Sequence, residues 1–267
     1  KPSSAAASHM QDVSSENDGA AASASTAPTS AAAPTAPTAQ IIREFGVIHL
    51  QNALSEAEQA KLFKLIVADC KTRPASNPIP ANFHLSSGEV GAKTRKQPLH
   101  DVGELLYARF AKEVADQLSA QEIEAEPALA RIGRVHSGQQ PVRVDHVSGV
   151  CYLAHSVLDN HQDCPMPLNT MSVALGDACD FVVGQSPAEA GRKPFPNLRA
   201  GTPVTLRMES GDAIFFDGGS VPHAVPRIHK GTAPSYFQRL QAKGFHGARV
   251  SLLFREPDGW DAKYMGR

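Results

Sequence analysis

Apolar positions along this chain follow two rhythms, and the change from one to the other falls near residue 140. Before it the spacing is helical. Ser55-Glu56-Ala57-Glu58 has the S-x-x-E form of a capping box, and Leu62, Phe63, Leu65 and Ile66 follow it. A helix is predicted there that ends before Pro74. Val102, Leu106, Phe110 and Val114, broadened by Leu105 and Leu118, predict a second helix within 101–118. The intervening "TRPASNPIPANFHLSSGEVGAKTRKQP" is too rich in Pro, Ser and Gly for a regular element. A loop of that length inside a domain is usually functional or mobile, so a lid is expected.

After residue 140 the period shortens to two. "GVCYLAH", "TMSVALG", "CDFVVG", "PVTLRME", "DAIFFDG", "HAVPRI" and "ARVSLLFRE" are short, β-rich and separated by Gly, Pro and Asp, and "FGVIHL" reads as an earlier strand. An all-β barrel or sandwich supported by N-terminal helices is predicted. No internal repeat occurs at a fixed period.

The first forty residues follow neither rhythm. They are Ala, Ser, Thr and Pro with scattered acids, and have no apolar face whose burial offsets the entropy of ordering them. Residues 1–40 are expected to be a disordered tail, with residues 1–9, ending in "SH" before Met10, a cloning remnant. One domain is expected over 41–267, with helical support and lid in 41–135 and the β core in 136–258. Of 267 residues, 26 are Lys or Arg and 27 Asp or Glu, a net charge of -1, so any polyanion must meet a local patch. Lys93, Arg95 and Lys96 in the lid, with Arg73, Arg131 and Arg134, are candidates, and Phe45, Phe83 and Tyr107 are candidate stacking rings. Four cysteines without a CxxC pair fit neither a zinc knuckle nor a disulfide scaffold, which points to a reducing compartment. No apolar run approaches the roughly 18 residues of a membrane helix. An intracellular monomer, nuclear or cytoplasmic, is expected.

Three features carry chemistry. His161 and Asp163 stand two apart, and on a strand such residues aim to one side, where an imidazole and a carboxylate suit a divalent metal. His223, just past Gly218-Gly219, is the candidate third ligand of a two-histidine, one-carboxylate set of the kind that holds non-haem Fe(II). In "RVSLLFR", Arg249, Ser251, Leu253 and Arg255 share one strand face, with Val250, Leu252 and Phe254 on the other. Two guanidiniums directed inward need anionic partners, and a dicarboxylate cosubstrate supplies them. Their Cα atoms are roughly 20 Å apart at ~3.3 Å per residue, so one grips the far carboxylate and the other lies nearer the metal.

In this order the residues resemble the AlkB family of Fe(II)/2-oxoglutarate-dependent dioxygenases, which carries HxD, a distal His and a terminal RxNxTxR strand. The specific part of the resemblance lies within 150–255. It implies a double-stranded β-helix, a jelly-roll barrel of the α+β class with flanking helices. It also implies Fe(II) on His161, Asp163 and His223, the 2-oxoglutarate C5 carboxylate on Arg249 with Tyr152 assisting, and Arg255 near the C1 end. Ser251 and Leu253 stand where the family has Asn and Thr, Val150 replaces an Asn, and Pro165 replaces an acidic residue that helps to read the base.

The reaction so implied is oxidative demethylation of N-methylated bases in DNA or RNA, using molecular oxygen and releasing formaldehyde, succinate and CO2. The base arrives single-stranded or flipped from the stack. Two other readings fit the same residues: the same oxygenase chemistry on a protein or small molecule, and a cupin-like metal module without turnover. A hydrolase pairing Cys164 with His161, or Ser220 with His223, ranks last because no G-x-S-x-G elbow occurs.

Overall fold

Alternation after residue 140 is realised as two antiparallel sheets. The computed structural model describes residues 36–70, 79, 81–86, 98–125, 127–144, 146–163, 168–185 and 201–256. In chain order the elements are β1 (Thr38–Ile42), β2 (Val47–Gln51), α1 (Glu56–Asp69), β3 (Asn82–Ser86), α2 (Pro98–Ala115), α3 (Ala120–Ala125), α4 (Pro127–His136), β4 (His146–Tyr152), β5 (Leu158–His161), β6 (Asn169–Gly176), β7 (Ala178–Val183), β8 (Val204–Met208), β9 (Ala213–Asp217), β10 (His223–His229), α5 (Ser235–Ala242) and β11 (Arg249–Glu256). The large sheet has the order β1-β2-β9-β6-β11-β4-β3, and the small one β5-β10-β7-β8.

Strand alternation sorts the side chains into two cores. Val250, Leu252 and Phe254 of β11 join Leu62, Phe63 and Ile66 of α1 and Leu99, Tyr107 and Phe110 of α2 in a core on the helical side of the large sheet. Residues one step out of phase, such as Val47, Tyr152, Ala174 and Ile214, join Phe181, Leu206 and Val225 of the small sheet in a second core between the sheets. This is the double-stranded β-helix that the resemblance implied, where the strand pattern alone predicted a barrel or sandwich.

The capping box is present as read: the Ser55 N–H donates to Glu58 Oε2 at 2.9 Å, and the Glu58 N–H to Ser55 Oγ at 3.4 Å. Helix α2 differs from its predicted stripe. It begins at Pro98 and buries Leu99, Gly103, Tyr107, Phe110, Ala111 and Val114, whereas Leu105 is 72% exposed. Gly103 sets this rotation, because a Cβ there would meet Phe254 Cδ1 at 2.3 Å, so the helix backbone rests directly on the β11 ring. Two strands occur where none was expected. β1 starts within the presumed tail, at Thr38, and β3 forms in the presumed lid because pairing with β4 satisfies its backbone despite a poor strand composition. Helices α3, α4 and α5 were not read from the sequence. Among the described residues, Cys151 and Cys179 are free thiols. Lys93, Arg95, Lys96, Arg73, Cys164 and Pro165 lie outside the described residues. Among the described residues no helix is long and apolar enough to cross a membrane.

Phe45 and Tyr107, considered as stacking rings, are core residues at 1% and 3% exposure. Arg131, considered for a phosphate, is buried and paired with Glu256: its Nε donates to Oε2 at 3.1 Å, and its Nη2 bonds Oε1. Glu256 also accepts the Arg143 N–H at 3.0 Å, so the pair ties α4 and the strand entry at 141–144 to the end of β11. Removing one partner strands a buried charge. Arg131→Met should therefore destabilise the fold by about 3–5 kcal/mol in urea unfolding, and adding Glu256→Leu should recover most of that loss.

Candidate active site

Antiparallel pairing of β10 with β5 sets His223 directly opposite His161, with ring centroids 4.3 Å apart. Asp163 is not on the strand with His161, as the sequence suggested. β5 ends at His161, and Asp163 sits in the following bend, held by its own N–H donating to the Gly218 carbonyl at 2.9 Å. The bend still delivers the carboxylate. Asp163 Oδ1 is 3.7 Å from His161 Nε2 and 3.8 Å from His223 Nε2, and one potential ligand atom from each residue lies within 4.8 Å of the others.

The backbone fixes both imidazole tautomers. His161 Nδ1 lies 2.9 Å from the Asp159 carbonyl and His223 Nδ1 3.0 Å from that of Val221. A carbonyl only accepts, so each Nδ1 carries the proton and each Nε2 presents a lone pair towards Asp163. Two neutral imidazoles and one carboxylate sharing a point, with the rest of the sphere open, fit a six-coordinate Fe(II) that must also take a bidentate cosubstrate.

The charges agree with that fit. Burial opposes ionisation of Asp163, but the Arg255 guanidinium and the two imidazoles outweigh it and hold the carboxyl well below the usual carboxylate range. Arg255 Nη2 lies 2.9 Å from Asp163 Oδ2, and its Nη1 donates to Ser148 Oγ at 2.8 Å. His223 is pushed down to about 4 by burial and by the neighbouring His161, within a wall formed by Phe181 and Phe216. His161 goes the other way: burial lowers it, yet the neighbouring Asp163 carboxylate raises it above its ordinary value. Of the three, His161 is the group whose proton competes with a bound metal to the highest pH. Metal affinity should fall as pH drops through the raised His161 pKa, with proton release per metal rising towards one below it. Calorimetry in buffers of different ionisation enthalpy checks that count.

The cleft above these residues has an empty volume of about 550 Å3 counted out into open solvent, and Tyr152, Ser251, Leu253 and Arg255 line it with the His-Asp-His group. Arg249 does not line it. It pairs across the strands with Tyr152, is 1% exposed, and donates from Nη1 to the Asp177 carbonyl at 2.7 Å and that of Met208 at 3.3 Å. Its buried Nε has no hydrogen-bond partner among the described residues. Tyr152 and Ser251 both line the cleft, and burial raises the Tyr152 phenol above its ordinary value despite the Arg249 charge, so it stays neutral and able to donate. The sequence-predicted residues thus form two stations, His161, Asp163, His223 and Arg255 at one, and Tyr152, Ser251 and Arg249 at the other.

Two contributors were missed. Ser148, which supports Arg255, shares a strand face with Val150 and Tyr152, so the period-two rhythm that placed Tyr152 contained it. The turn at 218–221 was read only as a strand break, although its carbonyls hold Asp163 and His223. The Ser220–His223 hydrolase pairing has no basis here, because Ser220 Oγ donates to Asp217 and both nitrogens of His223 are directed elsewhere, whereas the pairing of Cys164 with His161 involves a residue outside the described ones.

The sequence matches the 2OG-Fe(II) oxygenase superfamily over residues 46–255. Among solved structures, that of OsALKBH1 is similar with a TM-score of 0.52 at 20% identity, covering 82% of this chain and 100% of that one. Weaker likenesses include a 2OG-Fe(II) oxygenase family oxidoreductase from Burkholderia pseudomallei, with a TM-score of 0.41 at 13% identity over 79% of this chain and 84% of that one. HygX from Streptomyces hygroscopicus, with nickel, 2-oxoglutarate and hygromycin B bound, gives 0.40 at 14% identity over 81% and 85%. Comparison with curated protein sequences gives no match. At these identities the structural likeness speaks to the fold, and the sequence match spans nearly all of the described barrel. The chain belongs to the 2OG-Fe(II) oxygenase superfamily and is a dioxygenase that uses Fe(II) and 2-oxoglutarate.

Proposed function

We propose that this dioxygenase demethylates N-methylated bases in nucleic acid, taken single-stranded or flipped from a duplex. The observation that carries the reading is the pairing of the two stations within one barrel: a His-Asp-His group at the cleft, and the buried Arg249 guanidinium on the strand position opposite Tyr152, which lines the same cleft. In this reading His161, Asp163 and His223 hold Fe(II), which with 2-oxoglutarate and oxygen supplies the oxidising power. Arg249 takes the far carboxylate, with Tyr152 and Ser251 beside it. Arg255 holds Asp163 ionised and in place rather than meeting the substrate. We assign residues 41–267, together with β1 back to Thr38, to one catalytic unit in which the helical part supports the barrel.

Support for a nucleobase comes from the cleft and from the fold. Apart from the charged pair Asp163 and Arg255, its lining is apolar or neutral: Val150, Leu158, Phe181 and Leu253 form walls, and Asn82, Ser148, Ser172 and Ser251 offer hydrogen bonds. A flat neutral ring with a few polar edges suits such a surface. The fold likeness to OsALKBH1 and the AlkB-type order of HxD, His and R-x5-R point the same way. Overall, 2-oxoglutarate, oxygen and the N-methyl base become succinate, CO2, formaldehyde and the unmethylated base.

A panel of N-methylated single-stranded oligonucleotides tests this. Formaldehyde and succinate should appear in equal amounts, and apparent affinity should fall steeply as salt rises, because phosphate contacts release counterions. Succinate formation that no oligonucleotide stimulates, but that a methylated peptide or small molecule does at any salt, would replace the nucleic-acid substrate with that one.

A further inference from the structure

The turn between β9 and β10 touches two of the three proposed ligands through its backbone. The Gly218 carbonyl accepts the Asp163 N–H at 2.9 Å, the Gly219 carbonyl accepts Gln162 Nε2, and the Val221 carbonyl accepts His223 Nδ1 at 3.0 Å. Gly218 is also a spacer: a Cβ on it would lie 2.5 Å from Asp163 Oδ2, so the absence of a side chain creates the slot that the carboxylate occupies.

One side chain organises this turn. Asp217, the last residue of β9, accepts the Gly219 N–H at 2.9 Å and the Leu168 N–H at 2.7 Å on Oδ1, and the Ser220 hydroxyl at 2.8 Å on Oδ2. Its backbone carbonyl accepts the N–H groups of Ser220 at 3.1 Å and Val221 at 2.9 Å. The Leu168 bond reaches across to the strand that follows Asp163, and the Gly218 N–H reinforces it by donating to the Leu168 carbonyl at 2.8 Å. Asp217 therefore ties together the chain before His223 and the chain after Asp163, although it contacts neither ligand side chain itself.

We propose that Asp217 is a positioning residue for the metal centre, acting through Gly218 on Asp163 and through Val221 on His223. The inference rests on the reading of His161, Asp163 and His223 as the ligand set. Removing the carboxylate frees two backbone donors and one hydroxyl, so Gly218 and Val221 lose their fixed places and the ligands lose their shared focus. Asparagine keeps Oδ1 for Leu168 and Gly219, and the Ser220 hydroxyl can rotate to accept from the new amide. Asp217→Asn should thus rescue what Asp217→Ala loses.

The test is Co(II) binding to the full chain, followed by calorimetry and by the visible ligand-field spectrum, with circular dichroism and melting of the metal-free proteins alongside. Asp217→Ala should bind Co(II) about 10–100-fold more weakly than the parent with an altered spectrum, the range seen when supporting groups around metal ligands are removed. Asp217→Asn should stay within about threefold, the cost of one re-oriented hydrogen bond, with the parent spectrum. Gly218→Ala, which leaves every Asp217 bond in place, should weaken binding at least as much as Asp217→Ala. A folded Asp217→Ala with the parent's affinity and spectrum overturns the proposal, and where that variant does not fold, a Gly218→Ala protein with parent values does the same. A parent that binds no Co(II), or binds it equally well as Asp163→Ala, instead overturns the ligand set.

Discussion

Arg249→Met should raise the 2-oxoglutarate concentration needed for half-saturation about 30- to 3,000-fold, while metal affinity stays near that of the parent. The range is the ~2–5 kcal/mol lost when one partner of a buried, hydrogen-bonded charge pair is truncated, at tenfold per ~1.4 kcal/mol. Arg249 heads the fully buried side chains by size, yet its described partners are two backbone carbonyls, with no carboxylate paired to it. A buried guanidinium so placed is costly unless an anion joins it. The metal-free, cosubstrate-free variant should therefore be no less stable than the parent. What it should lose is the rise in melting temperature that 2-oxoglutarate gives the parent, because that rise measures binding to the folded state. Arg249→Lys should recover part of the affinity, since an ammonium restores charge but not the two-pronged geometry.

The second large effect belongs to Asp163. Asp163→Ala should weaken metal binding by more than the ~10–100-fold typical of supporting groups, since it removes the only anionic member of the set. The pH dependence of folding gives an independent reading of the same carboxylate. Because the folded protein holds its pKa well below the unfolded value of about 3.9, Asp163 contributes stability that is present above that value and lost as pH falls below it. Metal-free Asp163→Asn should be less stable than the parent at neutral pH, with the gap closing in acid. Urea midpoints across pH measure it. A gap that does not change with pH would mean that Arg255 and the imidazoles do not hold the carboxylate ionised.

Much of this site was legible because strand alternation is a strict rule. The face shared by Ser251, Leu253 and Arg255, the opposite packing of Val250, Leu252 and Phe254, and the inward aim of Tyr152 all follow from a period of two. The residues proposed as ligands were legible too, since HxD, a later His and an R-x5-R strand occur in the order the proposed chemistry needs. It could not give the bend that carries Asp163 off the strand, because a one-residue change in where β5 stops leaves the spacing untouched. Nor could it tell Arg131 from a surface cation: its partner Glu256 is far along the chain, and only the packing of α4 against the end of β11 brings them together. Leu105 failed for a similar reason. Helical periodicity defines a stripe, but the contact of Gly103 with Phe254 decides which side of that stripe is buried. Asp217 and the turn it organises were hidden because their contribution lies in backbone carbonyls, which every residue has.

The most direct test of the account is the visible absorption of the anaerobic protein on addition of Fe(II) and then 2-oxoglutarate. Iron held by His161, Asp163 and His223 with open positions should take the cosubstrate as a chelate and develop a metal-to-ligand charge-transfer band, saturating at one equivalent of each. Iron binding without any band on adding 2-oxoglutarate would contradict the two-station cleft and leave the group as a metal site with no cosubstrate.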